Sequence, residues 1–188
     1  MYEELGLLIS DNIKHIRLKN QINNLTKVKK IVEANNMTLK QVNLKVLFPY
    51  LEGIALEEDE TLQDMWANLF VNYIDSESNL KLTVYPNILK KLSSKEVEIL
   101  KKASEPHERN PIFGKNRIEF LHEINSHELN NLERLGLMST DNKYIYDSNN
   151  YFIGMEPNKE VEVSFSGYMS ISAFGIDFIE ACTVMHDK

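Results

Sequence analysis

The sequence predicts a mainly α-helical protein with a small antiparallel β-sheet near its C-terminal end. Through most of the first 135 residues, apolar residues recur at spacings of three and four, as on the buried face of a helix. Beyond residue 140 the spacing becomes two, which is typical of strands. The 188-residue chain is 43% hydrophobic and 26% charged, which is ordinary for a globular protein whose core needs no disulfide or metal.

A long helix is predicted from Tyr2 to about Asn35, a segment without proline. At 1.5 Å per residue it would be about 50 Å long, so we expect it to protrude, bend or pack against a partner. Asn20, Asn23 and Asn24 lie where the apolar spacing slips. These asparagines mark the expected position of a bend.

Two more helices follow, near 44–57 and 59–75. Proline lacks the N–H that a helix interior requires, so the first helix is expected to begin near Phe48 or to kink at Pro49. Asp59 is expected to cap the second helix. The apolar residues of this helix share one face and are predicted to be buried: Leu62, Met65, Trp66, Leu69, Phe70, Tyr73 and Ile74.

The remaining helices are predicted from capping signals. A short helix is expected over 86–92, and Ser93 with Glu96 forms a capping box that begins the next one. A helix over 126–135 is expected to end at Gly136 in a left-handed conformation. Ser172 is expected to cap the closing helix.

Strands are predicted around the alternating apolar residues of the last fifty positions: Tyr144, Tyr146, Val161, Val163, Phe165, Met169 and Ile171. Helices, then a small antiparallel sheet and a final helix, are the order of a winged-helix-like module. We therefore expect residues 1–92 to form an all-helical region and residues 93–188 to form a winged-helix-like module packed against it.

Charge is unevenly distributed along the chain. Residues 51–80 contain eight acidic residues and no basic ones, whereas residues 1–50 contain eight basic and four acidic residues. Four acids, Glu57 to Glu60, lie at the N-terminal end of the helix over 59–75, where the helix dipole favours negative charge. The alternative is a hydrolase that holds a divalent cation at residues 57–64. The acidic run, however, lacks the alternating ligands and the glycine of a cation-binding loop.

The sequence contains none of the usual phosphate-binding loops and no nucleophile elbow. His122 and His127 are five residues apart, which places them about 140° apart around a helix and disfavours a shared metal. Cys182 is expected to be a small buried residue and not a nucleophile. We therefore expect no catalytic residue, no cofactor and no metal.

The helix over 126–135 is a candidate recognition helix for DNA, with His127, Asn130, Asn131 and Arg134 facing outward. Its two glutamates and the net charge of -7 disfavour attraction to phosphate. We therefore favour a structural or protein-binding role for this helix, with a DNA-binding regulator as the alternative.

Three tracts resemble the abortive infection alpha family of bacteria: LEGIALEEDETLQDMWANLFVNYID at 51–75, NNLERLGLM at 130–138 and ISAFGIDFIEAC at 171–182. With KKLSSKEVEILKK, the resemblance extends in order from about Leu44 to Cys182. The positions that carry it are Glu57, Asp59, Leu62, Trp66, Ala67, Leu135, Gly136, Leu137, Phe174 and Gly175.

The resemblance implies a role in defence against bacteriophage, in which an infected cell stops growing or dies. It brings no catalytic residues to this sequence. We expect a cytoplasmic, non-enzymatic protein that acts through protein partners, including self-association through the N-terminal helix. We expect no signal peptide, because Glu3 and Glu4 lie where a secretion signal would need positive charge, and we expect no membrane span, because no apolar run is long enough.

Overall fold

The computed structural model describes residues 2–104, 117–119, 126–141 and 168–183. These residues form seven helices and three short strands. The helices are α1 (Tyr2–Ala34), α2 (Leu44–Leu56), α3 (Glu60–Ile74), α4 (Tyr85–Leu89), α5 (Ser94–Ser104), α6 (Ser126–Arg134) and α7 (Ala173–Ala181). The strands are β1 (Arg117–Glu119), β2 (Met138–Asp141) and β3 (Tyr168–Ile171). The predicted fold class, mainly helical with a small antiparallel sheet, is confirmed.

The three strands form one antiparallel sheet with β3 in the middle. Ile118 of β1 lies opposite Met169, and Ser139 of β2 lies opposite Ser170. The strand predicted around Met169 and Ile171 is confirmed, whereas β2 was not predicted. The strands predicted over 144–165 and the pair His122 and Glu123 lie outside the described residues, so the winged-helix-like interpretation stays a prediction.

The predicted helix caps are present. The Asp59 carboxylate accepts the backbone N–H of Leu62 at 3.0 Å. Ser93 and Glu96 exchange the two hydrogen bonds of a capping box, with Glu96 Oε2 accepting the Ser93 N–H at 2.7 Å. The Ser172 hydroxyl accepts the N–H of Gly175 at 2.9 Å and begins α7. These short-range signals fix where the helices begin.

Helix α2 occupies the range expected for it, near 44–57, whereas one of the two alternatives for Pro49 and the predicted end of α4 were wrong. Helix α2 begins at Leu44, where the Asn43 side chain caps it, and it passes through Pro49. The proline lies beyond the first turn, so the expectation of a start near Phe48 was wrong. Helix α4 ends at Leu89, three residues before its predicted end.

Gly136 ends α6 in the predicted way. Its φ of +73° is left-handed, and the N–H groups of Gly136 and Leu137 donate to the carbonyls of Glu133 and Leu132. This pair of bonds is a Schellman motif, which favours glycine at the left-handed position. The turn then leads directly into β2.

Among the described residues, most of the buried apolar side chains form one cluster, which includes residues from both sides of the predicted boundary at 92. Trp66 of α3 is 1% exposed, which confirms that the amphipathic helix belongs to the inner scaffold. The Tyr50 ring stacks on Phe70 with a centroid distance of 3.9 Å. On the other side of the cluster, the Tyr85 ring contacts Phe178 edge to face at 5.5 Å.

Candidate interaction surface

Amide side chains hold α1 against α2 and α3. Asn24 is fully buried, and its Nδ2 donates to the backbone oxygen of Gln63 at 2.7 Å and to Gln63 Oε1. The Tyr50 hydroxyl donates to Asn24 Oδ1 at 2.7 Å. Gln63 Nε2 donates in turn to the carbonyls of Glu57 and Ile54, at 2.8 and 3.3 Å. The Asn24 amide is therefore satisfied inside the fold and fixes how α1 lies on its neighbours.

Helix α1 continues without a break, from Tyr2 to Ala34, through the asparagines at which a bend is expected. The amides of this stretch bond to α2 instead. Asn20 Nδ2 donates to the carbonyl of Ala55 at 3.3 Å, and Gln21 Nε2 donates to the carbonyl of Leu51 at 3.0 Å. The slip in apolar spacing marks the place where a polar contact face begins.

Lys27 adds a charged contact between α1 and α3. Its ammonium group donates to the carboxylates of Glu60 and Asp64. Burial alone would lower the pKa of Lys27, but the hydrogen bonds to Asp64 and Glu60 outweigh it and raise the pKa. Part of the predicted acidic run therefore binds a lysine of this same chain.

Within the first half of α1, residues 11–19 extend beyond the neighbouring helices. All residues from 11 to 19, which we call the free segment, are exposed, on every side of the helix. Ile13, Ile16 and Leu18 are 49%, 45% and 55% exposed. The sequence left open whether this helix protrudes, bends or packs, and the structure shows that the free segment protrudes.

A second exposed apolar feature lies along the outer side of α1. Leu18, Ile22 and Leu25, which we call the outer seam, are 55%, 54% and 41% exposed. Their spacings of four and three residues place them within about 60° of one another around the helix axis. A row of exposed apolar side chains on one side of a helix is a candidate site of interaction.

The acidic run around Glu57 acts as a helix start. The Glu57 carboxylate accepts the N–H groups of Glu58 and Asp59 at 3.1 and 3.0 Å, and Asp59 caps α3. Burial raises the pKa of Glu57, against the effect of those two backbone hydrogen bonds. Among the described residues, no group of three or more His, Cys, Asp or Glu side chains is placed to bind a metal ion.

The thiol of Cys182 and the hydroxyls of Tyr50 and Tyr73 belong to buried side chains. Cys182 is 3% exposed, which confirms the expectation of a small buried residue, and burial raises the pKa of its thiol. Burial likewise raises the pKa of the Tyr50 and Tyr73 hydroxyls. A group whose ionised form is disfavoured is a poor nucleophile.

The residues that carry the family resemblance occupy two places in the fold. Leu62, Trp66 and Ala67 are buried in α3 beside the capped end formed by Glu57 and Asp59. The second set joins the end of α6 to the start of α7 and comprises Leu135, Gly136, Leu137, Phe174 and Gly175. Here the backbones approach so closely that a Cβ on Gly175 would lie 2.1 Å from the carbonyl oxygen of Leu137.

The four residues predicted to face DNA differ in their surroundings. His127, Asn130 and Arg134 are exposed, whereas Asn131 is half-buried. Asn131 Nδ2 donates to the carbonyl of Lys91 at 3.1 Å and to Glu96 Oε1 at 2.6 Å, so its donor group is occupied by α5 and its preceding loop. DNA readout by α6 stays a prediction.

Sequence reasoning missed the amides that connect α3 to the end of α7. Asn72 Nδ2 donates to the carbonyls of Ala181 and Thr183 at 2.8 and 2.9 Å, and Asn68 Nδ2 donates to the carbonyl of Cys182 at 3.3 Å. These bonds satisfy carbonyls at the end of α7 that have no partner within the helix. An asparagine inside a buried apolar helix is the signal that could have indicated them.

Comparison with known proteins gives one family. Across the part of the chain that the structure describes, no helix is long and apolar enough to cross a membrane. Neither a curated protein nor a solved structure matches the chain. A family model described as abortive infection alpha matches residues 13–182, which extends the match beyond the predicted start near Leu44 and into the free segment. The chain therefore belongs to the abortive infection alpha family.

Proposed function

We propose that this protein defends bacteria against bacteriophage as a non-enzymatic component that acts through protein–protein contacts in the cytoplasm. The family match over residues 13–182 carries the defence role. The exposed apolar side chains of α1 support action through contacts, because five of them are grouped on one helix: Ile13, Ile16, Leu18, Ile22 and Leu25.

The chemistry of the described residues supports the non-enzymatic part of this proposal. The buried Cys182, Tyr50 and Tyr73 are disfavoured as nucleophiles, and the acids around Glu57 are used in capping and in binding Lys27. An open groove of about 450 Å³ between α2 and α4 is lined by one charged side chain, Lys45, and by no carboxylate, histidine or thiol. An active site generally combines a pocket with convergent reactive groups.

The defence role is tested by expressing the chain in bacteria that are then infected with a panel of lytic phages. We expect fewer plaques than in cells without the chain, together with growth arrest or death of the infected cells before phage release. Unchanged plaque numbers with every phage would overturn the defence role. Turnover of a nucleotide or nucleic acid by the purified protein would overturn the non-enzymatic assignment.

The contact mechanism is tested by replacing the apolar side chains of the free segment with a polar residue that preserves helix propensity, as Ile13→Gln, Ile16→Gln and Leu18→Gln together. We expect protection to be lost while the purified variant stays folded. A matched control removes exposed apolar side chains from α2, as Leu44→Gln with Phe48→Gln, which are 60% and 66% exposed. Full protection by the free-segment variant would contradict the proposed role of this surface.

A further inference from the structure

We infer that the outer seam of α1 binds an acidic amphipathic helix of another protein. The inference deepens the proposed function, and rests on it, by giving the chemistry of the partner. The seam consists of Leu18, Ile22 and Leu25, all more than 40% exposed. It lies within the residues that match the family.

The shape of the seam favours a helix as its occupant. Apolar residues at spacings of four and three form the narrow stripe through which one helix packs on another. A membrane-binding helix instead presents an apolar face about 100° wide or more, with aromatic residues at its edge. The three seam residues span about 60° and include no aromatic side chain. The seam therefore fits one partner helix better than a lipid surface.

The charge around the seam selects an acidic partner. Between residues 12 and 32 the helix contains six basic residues and no acidic ones: Lys14, Arg17, Lys19, Lys27, Lys29 and Lys30. Lys14 lies one turn before Leu18 and Lys29 lies one turn after Leu25, so both lie on the line of the seam. Charges that flank such a seam determine which helix pairs with it.

Most of these cations are available to a partner. Lys27 turns inward to Glu60 and Asp64. Lys14 and Lys29 bind Asp11 and Glu33, but the four side chains are 65% to 73% exposed, and ion pairs at such exposure are weak. A second copy of the chain would bring a helix of the same basic charge to the seam, so self-pairing here is disfavoured.

The test measures binding of the full chain to a synthetic amphipathic peptide of about three heptads, with leucine at the seam positions and glutamate at the flanking positions. A matched peptide has lysine in place of each glutamate. We expect the acidic peptide to bind at least about tenfold more tightly than the basic one, and its affinity to fall with added salt. Equal binding of both peptides, or binding of neither, would overturn the inference.

Variants then locate the site. Leu18→Gln, Ile22→Gln and Leu25→Gln together should abolish binding of the acidic peptide. Removing three similarly exposed apolar side chains from α2, as Leu44→Gln, Phe48→Gln and Leu56→Gln, should leave the affinity unchanged. Loss of binding only in the α2 variant would assign the site to α2 and contradict the inference.

Reversing the charge of the seam's lysines distinguishes specific binding of an acidic helix from nonspecific hydrophobic binding. A Lys14→Glu, Lys19→Glu and Lys29→Glu variant should prefer the basic peptide. Two further measurements on the wild-type chain decide between occupants, namely sedimentation of the chain alone and flotation with anionic vesicles. The acidic-helix assignment would be overturned if the chain self-associates or binds vesicles and the seam variant abolishes that binding. The infection assay tests the defence role independently of this result.

Discussion

The two halves of α1 belong to one continuous helix but face opposite environments. In the second half, buried Asn24 and partly buried Lys27 contact α3, while Ile22 and Leu25 are exposed. In the first half, residues 11–19 are exposed on every side. In an ordinary surface helix the apolar residues face the core and the polar ones face water. Helix α1 follows this pattern only in part: Val28 is buried in the core, amide hydrogen bonds add to the attachment of the helix, and Leu18, Ile22 and Leu25 stay available for contacts outside the fold.

The largest expected effect comes from removing the buried amide, as Asn24→Ala. The Tyr50 hydroxyl would lose its acceptor, and Gln63 would lose a donor to its side chain and to its carbonyl. Leaving buried polar groups without partners should lower the free energy of unfolding by about 3 kcal/mol. Urea denaturation measures the loss. Asn23→Ala is the matched control, because Asn23 is exposed on the same helix and should change stability by less than about 0.5 kcal/mol. Equal effects of the two substitutions would contradict the polar attachment of α1.

A smaller effect is expected from Lys27→Met, which keeps the length of the apolar stem and removes the charge. Glu60 and Asp64 are 80% and 60% exposed, so screening limits the loss of stability to about 1 kcal/mol. The loss should shrink as salt is added. Because the folded state raises the pKa of Lys27, its stabilisation is complete below the ordinary value of 10.5 and disappears as pH rises through the raised pKa. If the difference in free energy of unfolding between wild type and variant changes neither with salt nor at high pH, packing and not charge is responsible for it.

Removing residues 1–12 should hardly change stability, because none of the described side chains between residues 10 and 19 belongs to the buried cluster. We expect the free energy of unfolding to change by less than about 0.5 kcal/mol when measured on dilute protein. Hydrogen exchange gives an independent measure, since amides before residue 19 should exchange faster than those of residues 24–34. A large loss of stability on truncation would mean that residues 1–12 contact the rest of the isolated protein.

Local signals made much of this fold predictable. The carboxylate of Asp59, the pair Ser93 and Glu96, and Gly136 each act within one turn of their own position, so the sequence alone indicates them. Strand β2 has four residues and is defined by its pairing with β3, about thirty residues later in the chain. A pairing at that separation leaves no local pattern, which is why β2 was missed.

The site was harder to predict than the fold because it depends on contacts between distant segments. From the sequence alone, Asn24 is a residue of the type expected at a bend in the helix. Its role in the structure depends on Gln63, 39 residues away, which accepts a hydrogen bond from its amide. The exposed seam has the same spacing as a buried helix face. Only the position of α2 and α3 on the opposite side of α1 decides that Ile22 and Leu25 face water. Periodicity identifies a face, and tertiary packing decides which face is covered.

The smallest expected effect concerns Glu57, in the short connection between α2 and α3. Burial raises the pKa of this carboxyl, so the folded state holds its proton more tightly than the unfolded state. The stability linked to this shift is present below the ordinary value of 4.5 and is lost as pH rises. At neutral pH the ionised Glu57 therefore costs stability, and Glu57→Gln should be slightly more stable than wild type, because an amide oxygen still accepts the N–H groups of Glu58 and Asp59.

Urea denaturation at about pH 7 and about pH 4 tests this, and the advantage of the Glu57→Gln variant should vanish at the lower pH. Glu58→Gln is the matched control, because Glu58 is exposed and adjacent. A variant less stable than wild type at neutral pH would mean that the two backbone hydrogen bonds need the full negative charge. The connection between α2 and α3 would then depend on polar hydrogen bonds, as the contact of α1 with α3 through Asn24 does.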